Sequence, residues 1–205
     1  MLKLFYAPGT CALAARIALE DAGADYEIVF VDFARQEQRS PEYLKVNPKG
    51  RVPALSTARG ILTETPAILT YIAQAFPEAG LAPLDDAYAL AEMQAFNAYL
   101  ASTVHVNHAH GRRGGRWASD DASIADMKSK VPQTMAAAME VIEYGQLEGP
   151  WVMGERYTVA DPYLFTMARW LEGDGVDIDT LPRIKDHMDR MSMLESVKRA
   201  LSEPA

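Results

Sequence analysis

The 205-residue chain contains a single cysteine, and its setting suggests chemistry. In Ala7-Pro8-Gly9-Thr10-Cys11-Ala12 the thiol falls where an apolar strand pattern ends and a helical one begins. Unpaired N–H groups and the dipole at such a terminus favour an anion, so a thiolate there is stabilised and becomes an effective nucleophile. The competing reading is a buried cysteine packed as a small apolar side chain. Two further segments carry groups suited to a peptide-like ligand. In Asn47-Pro48-Lys49-Gly50-Arg51-Val52-Pro53-Ala54-Leu55, Pro53 lacks the N–H that an interior strand position needs and must stand at a strand start. A cis bond before it would turn the Val52 backbone outward, offering its N–H and C=O to an extended ligand. The alternative is a turn in which the proline is purely structural. In Thr63-Glu64-Thr65-Pro66, Glu64 can hold an ammonium group, while Thr65 and the N–H groups of a helix start can hold a carboxylate. Equally, Thr65 can act only as a cap and Glu64 only as a complement to the helix dipole.

His105, His108 and His110 lie close together, but only His105 and His108 have the spacing to share a helix face. No cysteine or neighbouring carboxylate completes a ligand set, so no metal is expected. Arg112, Arg113 and Arg116 between glycines read as a solvated loop. Tyr163, Phe165, Met167 and Trp170 read as core at helical spacing. In Gly154-Glu155-Arg156-Tyr157-Thr158-Val159-Ala160-Asp161, Thr158 and Asp161 have capping-box spacing, worth about 1–2 kcal/mol, with Tyr157 placed to staple the turn.

These groups need elements to hold them. Leu2 to Tyr6 reads as a strand, Ala12 to Ala22 as a helix stopped by Gly23, and Tyr26 to Val31 as a second strand. Ser40-Pro41 opens a short helix, Ala54 to Thr57 and Ile61 to Thr63 form a hairpin around Arg59-Gly60, and Thr65-Pro66 opens a helix ending near Phe76. The order β-α-β-α-β-β-α gives a mixed four-stranded sheet, its first pair parallel through the crossover and its last antiparallel through the hairpin. After Leu84 only helical periods remain: one helix interrupted at Gly111 to Gly115, one from about Asp121 to Leu147, then Thr158 to Leu171 and Leu181 to Leu201. The expected division is an α/β domain over 1–77, a linker over 78–85 that contains Pro83, and an all-α domain over 86–205.

Charge agrees with that division, because residues 1–77 are balanced and the whole net charge of −8 arises beyond them. An acidic chain is a poor partner for nucleic acid or anionic membrane. No apolar run approaches the length of a membrane span, and Pro8-Gly9 comes too early for a signal peptide. One cysteine cannot form an internal disulfide, so a cytoplasmic location is expected.

Together, Pro-Gly-x-Cys after a strand, Asn-Pro-Lys-Gly-x-Val-Pro-Ala-Leu, Thr-Glu-x-x-Ala-Ile and the Gly154 to Asp161 segment resemble the glutathione transferases, specifically the bacterial beta class with an active-site cysteine. The resemblance implies a thioredoxin-like N-terminal domain binding glutathione, an all-α C-terminal domain receiving a hydrophobic electrophile, a homodimer and a role in detoxification. It assigns Cys11 and His105 to the glutathione sulfur, Val52 and Pro53 to the cysteinyl backbone, and Glu64 and Thr65 to the γ-glutamyl group. Gln36 falls where the family commonly has a basic residue, with Arg35 adjacent. Val106 replaces the lysine usual after the histidine, and Ala98 an asparagine, with Asn97 displaced by one position. The implied activity is conjugation of glutathione, glutathione-dependent thiol–disulfide exchange through Cys11, or both, with peroxidase as a side activity. With fewer cations present, a non-catalytic binding module of the same fold is the alternative.

Overall fold

A computed structural model describes residues 1–147 and 149–202. The chain forms two compact units, one of Met1–Ala91 with the segment from Ser192 onward, the other of Glu92–Met191.

In the first unit β1 (Leu2–Tyr6), α1 (Ala12–Asp21) and β2 (Tyr26–Phe30) make the expected crossover. Pro41 occupies the first turn of α2 (Pro41–Val46), and the Ser40 hydroxyl accepts from the Tyr43 N–H at 3.1 Å. β3 (Ala54–Thr57) and β4 (Gly60–Thr63) form the hairpin, and α3 (Thr65–Ala75) follows. The sheet order is β2-β1-β3-β4, with β1 parallel to β2 and antiparallel to β3. Leu4 and Leu55 face each other across the central pair and are fully buried beside Ile17, Ile68 and Ile72 of the covering helices. This core fixes the β1–α1 junction and the approach to β3, the two places where Cys11 and Pro53 stand.

The second unit contains α4 (Ala87–Tyr99, from Glu92 on), a π-helical turn at Leu100–Val104, α5 (His105–Arg113), α6 (Asp121–Gly145) and α7 (Ala160–Ala168), followed by α8 (Pro182–Met193). The long helix expected after Leu84 therefore continues through the π-turn and reaches Arg113. Asp120 caps α6 by accepting from the Ser123 N–H at 2.8 Å. Buried Glu143 on α6 caps α8, accepting from the N–H groups of Arg183 and Ile184 at 2.9 Å each.

The helix expected from Leu181 to Leu201 is instead broken at Leu194, whose extended backbone separates α8 from α9 (Glu195–Leu201). By compactness α9 belongs with the first unit, so the division differs from the expected 1–77, 78–85 and 86–205. The reason is a buried cation: Arg16 of α1 donates to the carbonyls of Arg199 and Ser202, which end α9, at 3.3 and 2.9 Å. A guanidinium at a helix C-terminus satisfies carbonyls that have no partner within the helix. Glu20 adds an ion pair to Arg199 at 2.7 Å.

Candidate functional site

The loop from β1 to α1 is held by its own polar groups. Gly9 takes φ +70°, a conformation glycine adopts without penalty, and this sharpens the turn. The Thr10 hydroxyl donates to the Ala7 carbonyl at 2.7 Å and accepts from the Ala12 N–H at 3.3 Å, so Thr10 rather than Cys11 serves as the side-chain cap. Cys11 is thereby released from capping. Its thiol is buried and lies 3.6 Å from the Val52 carbonyl oxygen.

The Val52–Pro53 bond is cis, as the sequence suggests, and Pro53 leads directly into β3. Behind it, buried Asn47 fixes the turn: its Nδ2 donates to the Arg51 carbonyl at 2.7 Å and its Oδ1 accepts from the Lys49 N–H at 3.1 Å. The Tyr43 hydroxyl donates to the same Arg51 carbonyl at 2.7 Å. Burial, with the Glu37 charge, pushes that phenol up to about 12, which keeps it a donor. Gly50 has φ +60°, and a Cβ there would fall 2.9 Å from the Gln38 carbonyl oxygen, so this turn packs directly on the loop after β2.

Glu64 is the N-cap residue of α3 with φ +74°, a backbone position that costs a non-glycine residue about 1–3 kcal/mol. Its side chain makes no cap bond; instead Lys49 Nζ lies 2.5 Å from Glu64 Oε1 and 2.7 Å from Thr63 Oγ1. Thr65, buried, starts the helix and is not its cap. Cys11, Val52, Pro53 and Glu64 are thus joined through one segment, residues 49–53, which touches the thiol at one end and the Glu64 carboxylate at the other, with Thr65 next in the chain. Lys49 is the member that sequence reasoning passed over; no local signal pairs it with a residue beyond the hairpin.

Gln36 lies in the loop after β2, on which the Gly50 turn packs. It has φ +56°, is exposed, and opens a 3-10 turn at Glu37–Arg39. Its neighbour Arg35 pairs with Asp32 at 3.6 Å. The cation this loop does bring in is Arg39, whose Nη1 stands 3.1 Å from the position a Cβ on Gly50 would take. A cavity of about 480 Å³ lined by Ala7, Pro8, Phe30 and Phe33 together with the carboxylates of Asp32 and Glu37 lies at the β1 end of the cysteine loop.

In the second unit His105 begins α5, directly after the π-turn. Its ring meets Trp170 edge-to-face, centroids 5.1 Å apart, while His108 stacks on the same indole at 4.1 Å. His105 and His108 therefore share a face, as their spacing predicts, whereas His110 meets Trp117. Tyr163, Phe165 and Met167 are core, but Trp170 is only half-buried and serves as a platform for the two histidines. Asn97 is wholly buried. Among the described residues no cluster of His, Cys, Asp and Glu could hold a metal.

Half of the Thr158–Asp161 capping box is present: the Thr158 N–H donates to Asp161 at 2.7 Å, while the Thr158 hydroxyl accepts from the Ala160 N–H at 3.3 Å and the Asp161 N–H donates to the Thr158 carbonyl at 3.1 Å. Its reach is larger than the spacing suggests. Asp161 also accepts from the Val152 N–H at 2.8 Å and lies 3.1 Å from His187 Nε2, all three residues being buried.

A β-α-β crossover extended by an antiparallel hairpin, with a cis-proline loop against a thiol at a helix start and a helical unit following in the chain, defines a thioredoxin-like domain coupled to an all-α domain. The family described as glutathione S-transferase, N-terminal domain, matches residues 1–74. Glutathione S-transferase GstA of Escherichia coli O157:H7 is 32% identical over 204 residues, 98% of this chain and 98% of that protein. A solved glutathione transferase homolog from Sulfitobacter, with bound glutathione, has a TM-score of 0.94 at 50% identity and covers 97% of this chain and 96% of its own. A bacterial beta class glutathione S-transferase of Sphingomonas chungbukensis gives 0.85 at 33% identity, with 97% and 96% covered. This chain belongs to the glutathione S-transferase family. Among the described residues, no helix is long and apolar enough to cross a membrane.

Proposed function

We propose that the protein is a glutathione transferase that conjugates glutathione to hydrophobic electrophiles and also exchanges thiols with glutathionyl disulfides through Cys11. The observation that carries this reading is the 3.6 Å contact between the Cys11 thiol and the Val52 carbonyl beside the cis peptide bond. It sets a nucleophile against a backbone edge suited to the cysteinyl unit of a tripeptide. Val52 and Pro53 hold that unit; Glu64 binds the γ-glutamyl ammonium and Thr65 its carboxylate. Gln36 contributes to the glycinyl end, where Arg39 is better charged to serve. Cys11 and His105 act on the sulfur, His105 as hydrogen-bond donor or general acid/base.

In conjugation the glutathione thiolate forms a bond to the electrophilic carbon of an aryl halide, and halide leaves with the bonding pair. In exchange, the Cys11 thiolate attacks the glutathionyl sulfur of a mixed disulfide and the other sulfur leaves as thiolate. A second glutathione thiolate then attacks the glutathionyl sulfur on Cys11, forming oxidised glutathione and restoring the Cys11 thiolate. The all-α domain receives the hydrophobic second substrate, as the family resemblance implies. The reading includes a homodimer, a cytoplasmic location, a role in detoxification and no metal.

Turnover tests it. With glutathione, the protein should conjugate 1-chloro-2,4-dinitrobenzene and reduce a hydroxyethyl–glutathione disulfide, and Cys11→Ser should abolish the second reaction. His105→Ala should lower turnover by about tenfold while moving the KM for glutathione less. Glutathione binding without turnover in either assay would replace this reading with the non-catalytic module.

A further inference from the structure

Asp174 is a carboxylate whose side chain is 3% exposed, in a unit where an apolar residue would cost nothing in desolvation. Both of its oxygens face one nitrogen: His108 Nδ1 lies 2.9 Å from Oδ1 and 2.7 Å from Oδ2. A ring nitrogen shared between two carboxylate oxygens holds the imidazole plane in line with the carboxylate. Asp174 is itself fixed, since its N–H donates to the carbonyls of Trp170 at 3.0 Å and Leu171 at 3.1 Å, and Gly175 at φ +78° closes the turn. The Trp170 backbone and the carboxylate that orients His108 therefore move together.

The His108 ring lies nearly parallel to the Trp170 indole, 19° between planes at 4.1 Å, and the same indole meets His105 at 61° and 5.1 Å. Trp170 is thus clamped by an oriented imidazole and in turn bounds the space in which the His105 ring can rotate. His105 opens α5 directly after the π-turn, so the contact with Trp170 orients a side chain at the very start of a helical segment. Aromatic contacts of this geometry add to burial and favour one rotamer of His105 over another.

We propose that Asp174, His108 and Trp170 are positioning residues for His105, acting in that order to fix the orientation of its imidazole. This rests on the role given to His105 above. The test is a double-mutant cycle with the conjugation assay as readout, together with the NMR signal of the His105 ring. Asp174→Ala should lower kcat about fivefold with the KM for glutathione changed less than about twofold, and Asp174→Asn, which keeps an acceptor for His108, should recover most of the loss. In a His105→Ala background, Asp174→Ala should lower kcat no further, because the residue being positioned is gone. The His105 ring-proton shift, displaced by the indole ring current, should move toward its unstructured value in Asp174→Ala. If that variant does not fold, Trp170→Phe carries the same two readouts. An equal kcat loss with and without His105, or an unmoved His105 signal, would overturn the positioning role while leaving the His105 assignment intact. Unchanged kcat in His105→Ala alone would overturn the assignment and the positioning role with it.

Discussion

Cys11 Sγ stands 3.6 Å from the carbonyl oxygen of Val52, a residue 41 positions away, at the contact between the first helix start and the cis-proline loop. The thiol therefore has a built acceptor when protonated, and the dipole of α1 favours the anion when the proton leaves, the first N–H groups of the helix being taken by Thr10 and the Cys11 carbonyl. A thiol placed only as apolar filler would have neither. Oxidised glutathione should add one glutathionyl group to the folded protein, and reductant should remove it. Intact-protein mass spectrometry checks this; modification that occurs only after unfolding would return Cys11 to the core.

Glu64 keeps one carboxylate oxygen on Lys49 and is more than half exposed, so the second oxygen is open to a ligand ammonium. Glu64→Gln should raise the KM for glutathione about tenfold and leave kcat within about twofold. If Glu64 only complemented the helix dipole, steady-state kinetics would show an unchanged KM, and thermal denaturation alone would register the substitution.

Asp161→Ala should destabilise the protein by about 3–5 kcal/mol, more than the 1–2 kcal/mol of a capping box, because it strands buried His187 and the N–H groups of Val152 and Thr158. Urea denaturation measures the loss, and the KM for glutathione of the fraction that stays folded should not change. A midpoint shift no larger than that of a simple cap would mean that the His187 contact contributes nothing.

The contact of α1 with α9 should be acid-sensitive. Burial alone would raise the Glu20 carboxyl, but hydrogen bonds from Tyr26 and Arg199 and the Arg199 and Arg16 charges outweigh it and hold the group below its ordinary value. A depressed carboxylate stabilises the fold fully above the unfolded value near 4.5 and loses that contribution as pH falls through the folded one. Glu20→Gln should therefore unfold more easily than the parent at neutral pH, with the two denaturation midpoints converging as pH falls below the ordinary carboxylate range. A constant gap across that range would show that packing, not charge, is what Glu20 contributes.

What the sequence alone determined is the part carried by short-range physics. Ser40-Pro41, Thr65-Pro66, the Gly23 stop, the alternation of Leu2 to Tyr6 and the Thr158–Asp161 spacing each act within about one turn of chain, so the elements and the sheet with its mixed pairing could be read directly. So could the proline segment that meets Cys11, because Pro53 can stand only where a strand starts. Tertiary structure decided the rest. Lys49 reaches Glu64 across 15 positions, His187 reaches Asp161 across 26, His108 reaches Asp174 across 66, and Arg16 holds the end of α9 across 183 and 186. No periodicity encodes these pairs. A buried charge must find a partner wherever the packed elements bring one, and that constraint, not local propensity, turned Trp170 into a platform for two histidines and assigned the last helix to the first unit.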